Sequence, residues 1–242
     1  MFVITGGSSG IGFALARALV ARDQKVCVIG RRVALLQEAA QYSPRISYIE
    51  ADIATEAGCK HVASVLKKCD RLNGLVNNAG VIEPIAPIAR ITREAWHKLM
   101  STNLDAPLFL TQLLQHQLIG GRVLNIGSGA AYFAIEGWAA YCISKAALSM
   151  LTRCWQLECP EISCASVMPG IVDTAMQAVI RGSTSMASEK HAFFVKLKKE
   201  HQLLTVTQVA NFLVTLLLDT DATTYSSKEW DIYETNAQYP EE

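Results

Sequence analysis

The sequence predicts an α/β fold, a single domain in which a doubly wound parallel sheet carries helices on both faces. Three observations lead there. Short, nearly continuous apolar runs recur along the chain, the pattern of strands covered on both sides. Segments of helical period separate these runs, and regular strand–helix alternation is the signature of a parallel sheet wound with crossover helices. The chain has 242 residues, 50% of them hydrophobic, which suits one self-contained core and is thin for two.

Taken in order, the first strand is expected at Phe2–Thr5, followed by a glycine-rich turn and a helix over Gly10–Arg22. The next pairs are Val26–Ile29 with Val33–Gln41, Ile46–Ile49 with Glu56–Lys68, and Leu72–Val76 with a long helix over Arg93–Gln117. Arg122–Ile126 then leads to a helix at Tyr141–Glu158, and Cys164–Met168 is the sixth strand. Val172–Leu204 carries two helical pieces and no strand, so it reads as a lobe inserted into a domain spanning residues 1–242. A helix at Thr207–Leu218 and a last strand at Glu229–Tyr233 complete the pattern, with no linker or repeat.

Composition narrows the function. Lys plus Arg and Asp plus Glu are 22 each, so the chain is neutral and lacks the electrostatic footprint of a nucleic-acid binder. No apolar run reaches the ~18 residues of a membrane helix; Val209–Leu218 comes nearest and is interrupted by Asn211 and Thr215. The start of the chain has no basic segment or cleavage signal. The seven cysteines form no C-x-x-C or zinc-spaced pair, and Cys27, Cys142, Cys154 and Cys164 lie in apolar runs where a thiol packs as a small hydrophobe. These features describe a soluble, reduced, cytoplasmic protein without a metal site.

The stretch Thr5-Gly6-Gly7-Ser8-Ser9-Gly10-Ile11-Gly12 closes the first strand and opens the first helix. Glycines there permit a tight turn, close approach of a pyrophosphate and packing of helix on strand, while the helix N-terminus offers N–H groups to phosphates. Gly6, Ser8, Ser9, Gly10, Ile11 and Gly12 are therefore candidate dinucleotide contacts, although a glycine turn alone can be mere punctuation. The second strand ends in Gly30-Arg31-Arg32, with glycine where an NAD enzyme usually places a carboxylate for the ribose 2′-hydroxyl. Arg31 and Arg32 favour a 2′-phosphate and hence NADP(H), unless they are simply two solvated arginines beginning a helix. Asp52, followed by Ile53, ends the third strand, where its carboxylate can accept an adenine amino group or cap a turn. Asn77-Asn78-Ala79-Gly80 closes the fourth strand with small residues, suited to a backbone passing near the cofactor or to a plain turn.

Tyr141 and Lys145 stand four apart, on one helical face. A free tyrosine, with pKa near 10, exchanges protons poorly at neutral pH. A fixed ammonium beside it, or the positive charge of an oxidised nicotinamide, should lower that value. Ser128 lies just beyond the strand ending at Ile126, where its hydroxyl can bond a substrate carbonyl that also faces Tyr141.

With these residues in their order, together with Asn103 and Pro169-Gly170, the sequence resembles the short-chain dehydrogenase/reductase family along essentially its whole length. The resemblance implies a Rossmann-type fold and hydride transfer between a nicotinamide and a carbonyl or alcohol. It implies Tyr141 as general acid/base, Ser128 orienting the carbonyl, and Lys145 binding the nicotinamide ribose and tuning Tyr141. Asn103 would complete a proton relay through water. Pro107 gives that role a local rationale, because proline has no N–H to bond the Asn103 carbonyl and should bend the helix there; a tolerated kink is the plainer alternative. Pro169, Gly170, Val172 and Thr174 would lie along the nicotinamide, with Asp173 and Thr174 also able to cap the next helix.

Three stretches narrow the resemblance to the sepiapterin reductase and bacterial benzil reductase branch: Gly137–Cys142, Val172–Gln177 with Arg181 and Ser183, and Phe194–Lys199 before Leu203-Leu204. That likeness implies a small carbonyl or alcohol substrate, with Asp231 as a candidate anchor for a pterin edge. Trp138 and Met176 read as pocket lining or as core, and 172–204 as a substrate lid. Related enzymes form homodimers or homotetramers through helices matching Arg93–Gln117 and Tyr141–Glu158; Leu148, Leu151 and Trp155 suit either an interface or the core. Two departures stand out. Gly127 replaces a frequent serine, and Ser8 and Ser9 fill the turn where NADP enzymes often carry Lys or Arg, leaving Arg31 the larger share of phosphate selectivity. The alternatives are an NAD-linked alcohol dehydrogenase or a non-catalytic NADP sensor, and the retained Tyr141 and Lys145 argue against the sensor.

Overall fold

The computed structural model describes residues 1–234. Seven parallel strands form one sheet in the order β3-β2-β1-β4-β5-β6-β7, so the chain winds outward from β1 in both directions. The first half comprises β1 (Phe2–Thr5), α1 (Gly10–Ala21), β2 (Val26–Gly30), α2 (Val33–Gln41), β3 (Ile46–Glu50), α3 (Glu56–Leu66) and β4 (Gly74–Asn77). After it come α4 (Arg93–Met100), α5 (Ala106–Leu113), α6 (Gln115–Leu118), β5 (Arg122–Ile126), α7 (Ala139–Glu158) and β6 (Ser163–Met168). The chain then runs through α8 (Ala175–Gly182), α9 (Ser188–Lys199), α10 (Val206–Val214), α11 (Ala222–Tyr225) and β7 (Trp230–Asp231).

Strand pleating divides the core. Phe2, Ile4, Val26 and Val28 point to the face covered by α1 and α10, while Val3, Cys27 and Ile29 point to the face covered by α3 and α5. A third apolar cluster lies beyond the sheet and joins Ile82, Leu99, Trp138 and Tyr141 to Ile180, Met186 and Phe194 of the inserted lobe. The lobe is pinched at its base by a parallel bridge between Val172 and Leu204.

Several boundaries differ from the sequence expectation, some for local and some for tertiary reasons. The expected helix Arg93–Gln117 is broken: Ser101–Asp105 forms a π-helical turn in which the Ala106 N–H reaches the Ser101 carbonyl. Pro107 in the first turn of α5 cannot continue the ordinary ladder, and the turn widens before it. Thr207–Leu218 likewise ends in a π turn at Thr215–Asp219, where Arg122 donates to the carbonyls of Leu216 and Thr220. Leu72 is buried outside the ladder, its N–H bonded to Gln117, so β4 starts at Gly74. β7 stops at Asp231 because the Tyr233 N–H turns back onto its carboxylate at 2.9 Å. Cys154 is exposed rather than packed.

Candidate active site

A cavity of about 770 Å³ opens where β1, β2, β4, β5 and β6 end, the crevice at which doubly wound sheets place ligands. Of the residues singled out in the sequence, Gly6, Ser8, Ser9, Gly10, Ile11, Arg31, Arg32, Asp52, Ile53, Asn78, Ala79 and Gly80 line one end of it. Ser128, Trp138, Tyr141, Lys145, Pro169, Gly170, Val172, Thr174, Met176 and Asp231 line the rest. Gly12 and Asn103 do not line it.

Gly12 acts from behind the wall. A Cβ there would lie 2.5 Å from the Gly6 carbonyl oxygen and 2.6 Å from Asn78 Nδ2, so only glycine lets α1 sit this close to the turn. Gly6 itself has φ +62, the left-handed region that favours glycine. The turn is pinned by side chains: Asn78 Nδ2 donates to the carbonyls of Thr5 and Gly6 at 2.9 and 3.2 Å, and Thr5 Oγ1 accepts from the backbone of Asn78 and Ala79. Asn78 is thereby a brace for the turn. At the start of α1, Ser9 makes no side-chain capping bond and the first turn holds no acidic residue. Its N–H groups and partial positive charge therefore remain suited to an anion.

The two arginines flank that end differently. Arg32 donates to Ser9 Oγ at 2.9 Å. Arg31 faces Asp52 at 3.6 Å, in an ion pair whose side chains are 64% and 44% exposed and which therefore contributes little by itself. Asp52 also accepts from the Ala54 N–H at 3.1 Å, so its turn-capping role is present. Across the cleft Thr174 is the N-cap residue of α8 and makes no side-chain bond there. Its methyl lies 3.7 Å from where a Cβ on Gly10 would stand.

At the other end, α7 presents Tyr141 and Lys145 to the cavity while burying both, at 7% and 5% exposure. The Ser128 hydroxyl lies beside the Tyr141 side chain and accepts from the Ala130 N–H at 3.2 Å, capping the short turn that begins at Gly129. Lys145 Nζ donates to the Ile126 carbonyl at 2.7 Å and lies 5.7 Å from the Tyr141 ring centre. Burial holds the Tyr141 phenol above its ordinary value, against the smaller opposing effect of the Ser128 bond. The same burial draws Lys145 down to about 8. Desolvation thus works against the lowering expected of the ammonium, because it disfavours both charged forms.

Asn103 is 1% exposed and its side chain is fully engaged. Oδ1 accepts from the Val81 N–H at 2.9 Å, and Nδ2 donates to the Val81 carbonyl at 2.8 Å and to Ser144 Oγ at 3.1 Å. The side chain therefore fastens the π turn to the strand-four loop and to α7. Sequence reasoning missed the partners of these residues. They include Thr5, Ser144, and the buried chain in which Asn77 donates to Asn125 and Asn125 to Thr152, both at 2.8 Å. It also missed Phe133, Phe193, Phe194 and Tyr233 in the cavity wall; the Tyr233 hydroxyl accepts from the Ile171 N–H at 3.0 Å.

Among the described residues no helix is long and apolar enough to cross a membrane, and no group of His, Cys, Asp or Glu is placed to hold a metal ion.

Residues 1–184 match the family described as short chain dehydrogenase. A benzil reductase ((S)-benzoin forming) of Bacillus cereus is 34% identical over 231 residues, covering 89% of this chain and 92% of the relative. An uncharacterized oxidoreductase of Schizosaccharomyces pombe is 34% identical over 225 residues, covering 90% and 91% respectively. The crystal structure of a short chain dehydrogenase/reductase from Saccharomyces cerevisiae superposes with TM-score 0.90 at 30% identity, over 96% of this chain and 95% of that one. The chain belongs to the short chain dehydrogenase family and is an oxidoreductase of Rossmann-type fold, in a family that uses nicotinamide cofactors.

Proposed function

We propose that the chain is a cytoplasmic, NADPH-dependent carbonyl reductase of small ketones, with a 1,2-diketone as the preferred substrate and a pterin side-chain ketone as the second. The observation that carries the reading is that Ser128, Tyr141 and Lys145 line together the far end of the cavity whose other end is the uncapped α1 cradle. A dinucleotide fits these residues: the α1 N-terminus takes the pyrophosphate, and Arg31 with Arg32 takes the 2′-phosphate. When bound, a reduced nicotinamide supplies the hydride to the carbonyl carbon.

The chain's own residues do the rest. Ser128 and Tyr141 hold the carbonyl oxygen, and Tyr141 gives it a proton as the carbon–oxygen π electrons move onto it. A phenol held above its ordinary value is protonated at neutral pH, the form an acid in the reductive direction needs. Lys145 holds the ribose and supplies positive charge once Tyr141 becomes a phenolate, and the Asn103 backbone carbonyl leads water towards it. Pro169, Gly170, Val172 and Thr174 border the nicotinamide, and Asp52 with Ile53 borders the adenine. Trp138 and Met176 line the ketone pocket, Asp231 anchors a pterin edge where the substrate has one, and 172–204 is the lid. Assembly as a homodimer or homotetramer uses α5 and α7, where Phe109, Leu113, Met150 and Leu157 are exposed.

The test is the initial rate of NADPH and NADH consumption with benzil and with sepiapterin, for the unmodified chain and Arg31→Ala. Reduction of the diketone should be at least about 10-fold more efficient with NADPH, and Arg31→Ala should erase most of that margin. Equal efficiency with both cofactors would make the chain the NAD-linked member of the fold. Firm NADPH binding without reduction of either ketone would refute the substrate assignment.

A further inference from the structure

Among the described residues a single buried side-chain nitrogen or oxygen has no hydrogen-bond partner, Nε1 of Trp138. The residue is 5% exposed and lines the same cavity as Ser128 and Tyr141. Its aromatic neighbours fix the ring, and neither bonds Nε1. Phe194 stacks on it with ring centres 5.5 Å apart and planes at 16°, and the Tyr141 ring stands nearly perpendicular at 5.8 Å and 87°. A buried donor left unpaired costs about 1–3 kcal/mol, and buried tryptophans ordinarily find their N–H an acceptor. A phenylalanine would keep the aromatic contacts without that cost. The donor thus stands one helical turn from the proton-donating hydroxyl, in a position where folding gives it nothing to do.

We propose that the Trp138 indole N–H reads a second oxygen on the substrate, the one carried by the carbon next to the reacting carbonyl. The substrate class is then a vicinal dicarbonyl or an α-oxygenated ketone, and a simple ketone of the same shape is a poorer substrate. The inference rests on the carbonyl-reductase reading, since Ser128 and Tyr141 must hold the first oxygen for the second to be placed. In a 1,2-diketone the second oxygen sits on the carbon next to the first, and the Trp138 ring is the edge-on neighbour of the Tyr141 ring, with centres 5.8 Å apart. Because Nε1 is already stripped of water, an oxygen that reaches it gives up no competing bond on the protein's side. Such a donor discriminates strongly against a substrate that leaves it empty.

Trp138→Phe removes the N–H and retains a ring for Phe194 to stack on. Its kcat/KM is compared with that of the unmodified chain for benzil and for deoxybenzoin, which differ by one oxygen, with NADPH affinity measured alongside. The expected result is a loss on the diketone about 10-fold or more larger than the loss on the monoketone, with unchanged NADPH affinity. Equal losses on both ketones would make Trp138 a packing residue only, and no loss on either would leave the N–H without a role; both overturn the proposal. An unmodified chain that binds NADPH and reduces neither ketone removes the carbonyl-reductase reading and this inference with it.

A second measurement does not depend on how Trp138→Phe folds. In the unmodified chain labelled with 15N-tryptophan and saturated with oxidised NADP, which has no hydride to give, the diketone should shift the Trp138 indole proton downfield while deoxybenzoin does not. Trp96, Trp155 and Trp230 serve as internal references. An indole signal that ignores the diketone at saturation overturns the proposal.

Discussion

At the glycine-turn end of the cavity the walls are backbone, fastened from behind by Thr5, Asn78 and the close approach of Gly12. At the 172–204 end they are side chains from the lobe's helices and from the segment leading into α7, some buried like Trp138 and Phe194, some open like Phe133 and Phe193 at 70% and 42% exposure. The first end presents N–H groups whose positions are set by the fold and can be replaced only by refolding the turn. The second presents replaceable rings, held by stacking and by a bridge at the base of the lobe. The difference matches the demands of each ligand: a cofactor is constant, whereas a substrate pocket must be adjustable by single substitutions.

Four changes probe that contrast, in descending order of effect. Ser128→Ala, at the junction of the two ends, removes a hydroxyl that holds the reacting oxygen; kcat on benzil should fall by about 100-fold with NADPH affinity intact. Steady-state rates and fluorescence titration check both halves of that statement. Next, the pH profile of reduction should hold up to about 8, where Lys145 loses its proton, and fall above it. Tyr141, shifted upward, stays protonated through that range and should not produce the descent. A profile that rises through pH 8 would assign the titration elsewhere. Gly12→Ala tests whether the cradle is as rigid as its contacts indicate, since the new methyl meets the Gly6 carbonyl. A cost of about 1–3 kcal/mol is expected from such overpacking, visible as a lower melting temperature together with weaker NADPH binding. The smallest effect belongs to the lobe's surface. Lys198 bonds Asp173 at 2.5 Å with side chains 48% and 42% exposed, so Lys198→Ala should change KM for the ketone by no more than about 3-fold.

The same contrast explains what the sequence made legible. The cradle could be read because its requirements are local: a strand, a run of glycines and a helix start must be adjacent in the chain. Tyr141 and Lys145 were legible for the same reason, being one turn apart on α7. The parallel sheet and its apolar strands followed from alternation, with ends displaced by a residue or two, at Leu72 by the distant Gln117 and at Tyr233 by the Asp231 carboxylate. Hidden from the sequence were features that depend on pairs far apart in the chain. Asn103 bonding Val81 and Ser144, Asn125 bridging Asn77 to Thr152, and Arg122 capping the second π turn are of this kind. Burial of the catalytic pair was hidden too, and with it the upward shift of Tyr141. The aromatic wall from Phe133, Phe193 and Phe194 had no local marker, because an aromatic pair on an amphipathic helix looks the same whether it faces a core or a cavity.

The most direct test places Tyr141→Phe beside the unmodified chain, with NADPH and benzil at saturation. The unmodified chain should oxidise NADPH with stoichiometric formation of the hydroxyketone. The variant should bind NADPH with the same affinity and turn over slower by about 1,000-fold, within the range ascribed to a positioned general acid. A variant that reduces benzil at an undiminished rate would contradict the account, because the proton would then come from a group other than the one the site is built around.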